Sequence, residues 1–317
     1  MTRDPAPAER RSTAAVLACM RNEGPFILEW VAWHRALGFD TVIVATNDCT
    51  DGSDALLDAL AAGGALTHLP HSPAPGQAPQ DSGMRMALAH LARQPADWLL
   101  HIDSDEFLMP ATTLQDLLAI GADAHVIALP WRAFGDSGHK AWPGATIPHF
   151  TRCEAGPSPD TTKFKSLFRP ATFAHAHDHM PMRPRIPAPR VVAANGAPLD
   201  PAPLLSDKHH SRYRPSDIAL SPGRAVIHHY ATRSEDVFRL KSIRGDGQGK
   251  DGSKYRVGGR WHRIANRNEA EDRSALRLWP QTQAEIARLR ALPGVAQAEA
   301  ATLAAFDAAR ARLEATP

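Results

Sequence analysis

Three times between Thr13 and Arg93 an apolar run is followed by a polar loop and then by a segment with helical spacing, and a fourth apolar run ends at Asp103. Thr13 to Met20 is β-like, Arg21 to Pro25 is a loop, and Phe26 to Leu37 carries Ile27, Leu28, Val31, Trp33 and Leu37 at helical intervals. The unit recurs as the β-branched run Thr41 to Thr46, the polar turn Asn47 to Ser53 and the helical segment Asp54 to Leu60. It recurs again as Leu66 to Leu69, the Pro/Gly-rich loop Pro70 to Pro79 and a helix over Asp81 to Arg93. Alternation of this kind predicts an α/β fold with a mainly parallel sheet flanked by helices. Ligands of such sheets bind beyond the carboxyl ends of the strands, where these polar loops collect.

The fourth strand carries the most specific chemistry. In Asp97-Trp98-Leu99-Leu100-His101-Ile102-Asp103-Ser104-Asp105-Glu106-Phe107-Leu108, a short buried strand runs out into alternating carboxylates. Asp103 and Asp105, two residues apart, are expected to project the same way and to hold one hard divalent cation, Mn²⁺ or Mg²⁺, completed by water and phosphate oxygens. The other reading of the same residues is a solvated acidic turn that caps a helix.

Composition removes several function classes. The 317 residues include 36 Lys and Arg against 34 Asp and Glu, a formal charge of +2, so no global field draws the chain to nucleic acid or an anionic membrane. Cys19, Cys49 and Cys153 are odd in number and lack metal-type spacing, which fits a reducing compartment. The apolar stretch Ala14 to Met20 is too short for a signal or membrane helix. The expectation is a cytoplasmic protein without a transmembrane segment, with room for peripheral work at a membrane.

Downstream, a helix is expected over Leu114 to Ile120 and a strand over Val126 to Trp131, opening into Phe134-Gly135-Asp136-Ser137-Gly138-His139. Pro181 to Pro203 reads as a long Pro-rich loop, Ala225 to Tyr230 as a strand and Asp236 to Ile243 as a helix. From Gln281 to Thr316 an Ala-rich tail, broken at Pro293-Gly294, reads as two helices that pack on the body or pair between chains. The division expected is a flexible N-terminus over 1–12, one domain over 13–280 with halves meeting near 125, and C-terminal helices over 281–317.

The order of motifs resembles nucleotide-sugar glycosyltransferases of the GT-A fold, in the family-2-like and family-92-like group. The resemblance rests on Met20-Arg21-Asn22-Glu23, Leu28 to His34, Thr46 to Ser53 and the Asp103 to Leu108 block. Trp131 to Gly135, Lys165 to Pro170, His229-Tyr230 and Ser234 to Gly245 continue it in order. It implies a GT-A-like, Rossmann-like domain that moves a sugar from a nucleotide diphosphate donor such as a UDP-sugar to a glycan or other hydroxyl acceptor. It further implies inversion at the anomeric carbon, help from a divalent metal, and a setting in polysaccharide or glycoconjugate synthesis. Two alternatives stand beside it, a catalytically silent nucleotide-binding protein of the same fold and a metal-dependent nucleotidyltransferase. The second lacks a Gly-rich phosphate loop after the first strand.

With that resemblance the residues take roles. Asp103 and Asp105 hold the metal, and His229, with His228 as the alternate, completes its sphere. Asn22, Glu23, Asn47 and Asp48 hydrogen-bond the base and ribose, or else make Asx turns. Lys241 and Arg244, ahead of the loop Gly245 to Gly249, close over the diphosphate, or else form an exposed basic helix end. Lys163, Lys165 and Arg169 are a second basic set. Asp136 is the expected general base, with His139 and Glu154 as alternatives. Trp131, Phe134 and Trp142 form a sugar platform or build core. The alternation Ala174-His175-Ala176-His177-Asp178-His179 offers a zinc-like face or a surface loop.

Overall fold

A computed structural model describes residues 11–157, 162–206, 223–245 and 252–314. Most of the N-terminal segment expected to be flexible and residues 246–249 of the basic loop lie outside the described residues.

The first part follows the alternation read from the sequence. It runs β1 (Ala14–Met20), α1 (Gly24–Leu37), β2 (Thr41–Thr46), α2 (Ser53–Ala62), β3 (Thr67–Pro70), α3 (Pro79–Leu91) and β4 (Trp98–His101). Then come β5 (Glu106–Pro110), α4 (Leu114–Ile120), β6 (Val126–Ala133), β7 (Arg152–Cys153), β8 (Phe164–Phe168), β9 (Phe173–Ala176), β10 (Pro181–Pro184), β11 (Val191–Ala193) and β12 (Pro198–Leu199). The chain continues with β13 (Ala225–His229), α5 (Glu235–Arg244), α6 (Arg260–Ala265), β14 (Ala270–Glu271), α7 (Trp279–Arg290) and α8 (Val295–Glu314).

The sheet runs β12-β11-β6-β8-β4-β1-β2-β3, with β13 pairing both β5 and β6. From β3 to β4 every pairing is parallel, but β8 lies antiparallel between β4 and β6, and β13 runs antiparallel to β5. The sheet is therefore parallel on one side of β4 and mixed on the other, where the sequence suggested a mainly parallel one. The segment Pro181 to Pro203, expected as a loop, contains three short strands, of which β11 joins the sheet parallel to β6.

Alternate side chains of β1 enter two cores. Ala14, Val16, Ala18 and Met20 face the layer of α1 and α2 with its buried Trp30 and Trp33, while Ala15 and Leu17 face α3 through Met84, Ala87 and Leu91. Pro25 starts α1 and Gly38, at φ 95°, stops it in the left-handed conformation that glycine adopts without steric strain. The two indoles of α1 reach across to β5, Trp30 Nε1 donating to the Glu106 carbonyl and Trp33 Nε1 to that of Leu108, each at 3.0 Å. These bonds fix the strand that follows the acidic turn. α7 and α8 pack on the body, tied by Arg35 to Glu285 at 2.6 Å and by Arg310 to Asp236 at 2.7 Å. Thr302 of α8 sits so close over Gly24 that a methyl there would meet it at 2.4 Å.

Candidate functional site

A cavity of about 210 Å³ opens at the carboxyl ends of β1, β2 and β4. Cys19 to Arg21 and Glu23 come from the end of β1, Asn47 from the end of β2, and Asp103, Ser104 and Asp105 from the turn between β4 and β5. Trp131, Lys163, Asp178, His179 and His229 form another part of the lining, and Lys241, Arg244, Gly245, Lys254, Tyr255 and Trp261 complete its mouth. β4 ends at His101, so Asp103 and Asp105 sit in the turn rather than on the strand, and both still face the cavity.

Each carboxylate of that turn is met by a lysine from a distant element. Asp103 Oδ1 accepts from Gln80 Nε2 at 2.6 Å, and Oδ2 lies 3.3 Å from Lys165 Nζ. Lys165 is fully buried on β8, and its ammonium also contacts Glu106 Oε2 at 3.2 Å. Glu106 Oε2 in turn accepts the Asp103 backbone N–H at 2.7 Å, which closes the turn. Burial pushes the Glu106 carboxyl up to about 8, against the pull of Lys165. Burial opposes the charge on Lys165 too, but Asp103 and Glu106 outweigh it and hold the ammonium protonated.

Asp105 Oδ2 accepts from Lys241 Nζ at 2.6 Å, and that ammonium also donates to the Ala231 carbonyl at 2.6 Å. Burial works against the Asp105 charge, but Lys241, His229 and Arg233 hold the carboxyl well below the usual range. His229 Nε2 stands 3.6 Å from Asp105 Oδ1, with its ring against Trp131 at 4.2 Å between centroids. Burial depresses His229 to about 4, so the imidazole is neutral at pH 7. Its neighbour His228 points the other way, onto Phe134 at 4.3 Å, as alternation along β13 requires.

Glu23 is the third anionic anchor. Arg244 Nη1 bonds Glu23 Oε1, and Arg233 Nη1 lies 3.6 Å from Oε2. Arg233 is fully buried, stacks on Phe26 at 3.8 Å and donates to the Ser104 carbonyl at 2.8 Å. Helix α5, through Lys241 and Arg244, is thereby docked on both the first loop and the acidic turn.

Other expected residues fall elsewhere. Asn22 and Asp48 do not line the cavity; they hold loop geometry, at φ 54° and 49°. Asn22 exchanges hydrogen bonds with Thr50, accepting its backbone N–H at 2.7 Å and donating to its hydroxyl at 3.1 Å, while Asp48 accepts from Asn47 at 2.9 Å. Asp136 is also outside the cavity, because the chain past β6 turns toward residues 266–268. There its carboxylate accepts from Asn266 at 2.8 Å, Asn268 at 3.3 Å and the Gly138 N–H at 2.9 Å. Glu154 is occupied by the Ala133 N–H at 2.9 Å, and His139 packs on Phe150. Arg169 caps the carbonyls after α4 and stacks on Trp98, and Phe134 and Trp142 build core. Trp131 alone of the three expected platform aromatics reaches the cavity.

The donor set suits a hard cation. Asp105 Oδ1 and a neutral His229 Nε2 lie 3.6 Å apart on the wall that Asp103 also lines, so a divalent ion there would find two protein ligands and take the rest of its sphere from water and phosphate oxygens. Among the described residues no group of three or more His, Cys, Asp or Glu is arranged to hold a metal by itself, and this includes the His175, His177 and His179 set. Sequence reasoning overlooked Gln80 and Arg233, whose partners Asp103 and Ser104 lie 23 and 129 residues away, and also Lys254, Tyr255 and Trp261, and it gave Asp178 and His179 no role beyond a zinc-like face or a surface loop.

No protein-family model matches the chain. A glycosyltransferase family 92 protein of Ricinus communis is 28% identical over 160 residues, covering 47% of this chain and 28% of that protein. One of Oryza sativa subsp. japonica is 28% identical over 243 residues, covering 73% of this chain and 36% of that protein. The chain thus spans about a third of the length of the curated relatives it matches. Among solved structures, the 1–349 portion of S. aureus TarS aligns with a TM-score of 0.40 at 12% identity, over 96% of this chain and 92% of that one. Glucosyl-3-phosphoglycerate synthase from Mycobacterium tuberculosis, solved with Mn²⁺, uridine diphosphate and glucosyl-3-phosphoglycerate, aligns with a TM-score of 0.27 at 21% identity, over 37% of this chain and 43% of that one. No described helix is long and apolar enough to cross a membrane.

Proposed function

We propose that this chain is a metal-dependent, inverting glycosyltransferase that takes a sugar from a nucleotide diphosphate donor, a UDP-sugar, to a hydroxyl acceptor. The observation that carries the reading is convergence: Asp103, Asp105, His229, Lys241 and Arg244, from three separate elements, line one cavity at the carboxyl edge of the sheet. The curated relatives named glycosyltransferase family 92 support the same class.

The chemistry follows from the donor set. Breaking the bond between sugar and diphosphate builds negative charge on the leaving group, and fixed positive charge in a sheltered site lowers that barrier. Asp105 and His229, with Asp103 beside them, are the residues that would hold Mn²⁺ or Mg²⁺, which when bound would supply Lewis-acid stabilisation of the leaving diphosphate. Lys241 and Arg244 stand at the same wall, and their guanidinium and ammonium donors suit phosphate oxygens. Glu23 and Asn47 face the cavity from the first two loops and offer acceptors and donors to the ribose and base.

The test is a panel of nucleotide-sugars with Mn²⁺, following nucleotide diphosphate release by the native protein and Asp105→Asn. Release from one donor, lost on chelation and in the variant, is the expected result. A native protein that binds no nucleotide in the presence of Mn²⁺ overturns the reading.

A further inference from the structure

Helix α5 has two unlike faces. Lys241 is buried and reaches the cavity, whereas Ile243, two residues on, is 71% exposed. Arg239 stands one turn before Ile243 and shares its outward face. A second segment is seated against the helix. Gly252 lies so close that a methyl there would run into the Ser242 backbone, and Tyr255 meets the fully buried Phe238 edge-on at 5.8 Å. Just beyond these contacts Arg256 and Val257 are exposed.

Together with Arg312 and Leu313 near the end of α8, these residues line an open groove of about 670 Å³. Isolated exposed aliphatic side chains are ordinary on a protein surface. Ile243 and Val257, however, are two of the four large aliphatic side chains exposed by 40% or more among the described residues, and they share one groove with three arginines. Glu235, the single carboxylate among the described lining residues, accepts from Lys140 at 2.7 Å. A chain whose formal charge is only +2 thus gathers guanidinium groups and exposed aliphatic side chains at one place. Guanidinium groups attract the phosphates and carboxylates of anionic lipid headgroups, and aliphatic side chains beside them enter the boundary with the acyl chains. A single-stranded nucleic acid would call instead for exposed planar side chains on which bases stack.

We propose that this groove docks the protein on an anionic membrane surface, with Arg239, Arg256 and Arg312 against the lipid headgroups and Ile243 and Val257 entering between them. Tyr255 lines both the groove and the cavity, so docking brings the cavity mouth to the lipid surface. On the glycosyl-transfer reading, a hydroxyl acceptor anchored in that surface meets the mouth without leaving the membrane. The docking itself does not depend on that reading.

Sedimentation of the full chain with vesicles of phosphatidylcholine containing about one third phosphatidylserine tests the proposal. Binding is expected at low ionic strength, weaker as salt rises, and far weaker on phosphatidylcholine alone. Arg239→Ala/Arg256→Ala is expected to lower the partition coefficient roughly 20- to 30-fold, about fivefold for each arginine. Ile243→Ser is expected to lower it about tenfold and to leave its salt dependence unchanged. Urea midpoints of these variants are expected to stay native, which separates lost docking from lost folding. Arg93→Ala/Arg190→Ala removes the same charge from exposed sites outside the groove and is expected to hold binding within about twofold of native. No binding to the mixed vesicles, equal weakening by the two arginine pairs, or an unaffected Ile243→Ser overturns the proposal. So does a chain that ignores the vesicles and binds single-stranded RNA through Arg239 and Arg256. A protein that docks as expected but releases nucleotide from no donor overturns the glycosyl-transfer reading and leaves the docking standing.

Discussion

The paired loops after β1 and β2 and the acidic turn after β4 occupy the same edge of the sheet and carry similar residues, and apart from Glu23, which Arg244 and Arg233 hold from far along the chain, they are stabilised in opposite ways. The loops satisfy one another. Asn22 bonds Thr50, Asp51 accepts the backbone N–H groups of Gly24 at 3.1 Å and Ser53 at 2.9 Å, and the Ser53 hydroxyl accepts from Glu23 N at 3.2 Å. The turn after β4 leans instead on two lysines and an arginine recruited from β8, α5 and the segment before α5. Polar groups that close on their neighbours build scaffold, because their bonding capacity is used locally. Carboxylates that require buried cations from far along the chain mark where the fold has concentrated charge, and that is where chemistry is expected.

The sharpest way to break this comparison is Lys165→Met. Removing the ammonium leaves the partly exposed Asp103 without its cation and Glu106 without a hydrogen-bond donor, a loss at the low end for a buried ion pair, about 3 kcal/mol. Urea denaturation is expected to show a midpoint shift of that size, and a shift no larger than a surface substitution gives would mean the turn does not depend on its lysine.

Acid should reveal the same asymmetry. His34, stacked beneath Phe107 of β5 and bonded through Nδ1 to the Trp30 carbonyl at 2.8 Å, is pushed by burial from 6.5 down to about 3. Its folded form is neutral, so the unfolded chain takes up the proton first. The stability it contributes is complete above pH 6.5 and drains as the pH falls toward 3. By pH 4.5 the loss is about 2–3 kcal/mol. Comparing urea midpoints at pH 7 and 4.5, His34→Gln is expected to lose less on acidification than the native protein, and an equal loss would assign the acid sensitivity elsewhere.

A smaller effect separates the two regions by function. Asp105→Asn is expected to weaken UDP binding in Mn²⁺ by at least about tenfold, or ~1.4 kcal/mol. Asn22→Gly, which retains the backbone freedom needed at φ 54°, is expected to lower stability by about 1 kcal/mol through its lost hydrogen bonds and to leave that affinity unchanged. Equal losses of affinity in both variants would return Asn22 to the donor site.

Periodicity made most of the parallel half legible, since β1, β2 and α1 bury residues at the spacings their elements demand. The misses have physical causes. β5 is wholly buried and opens with the carboxylate of Glu106, so it shows neither alternation nor an apolar start. β8 buries Lys165 in the middle of Phe-Lys-Ser-Leu-Phe, which reads as an outward charge until Asp103 is found 62 residues away. Asp103 and Asp105 were legible because their signal is local. Lys241 was legible only by resemblance, its partner Asp105 being 136 residues earlier. Arg233 had no local pattern to report its position, and the alternation around Asp178 pointed to a zinc-like face or a surface loop rather than to the cavity.

The Lys165 ammonium touches Asp103, Glu106 and the backbone of Asp178 together. A ligand that draws on Asp103 changes the electrostatic hold on the hairpin through that ammonium, and whatever settles against Asp178 changes the hold on Asp103 by the same route. Linkage makes such an effect reciprocal. The acidic turn and the β9–β10 hairpin are thus not independent walls but two arms of a single balance, with a buried lysine as its pivot.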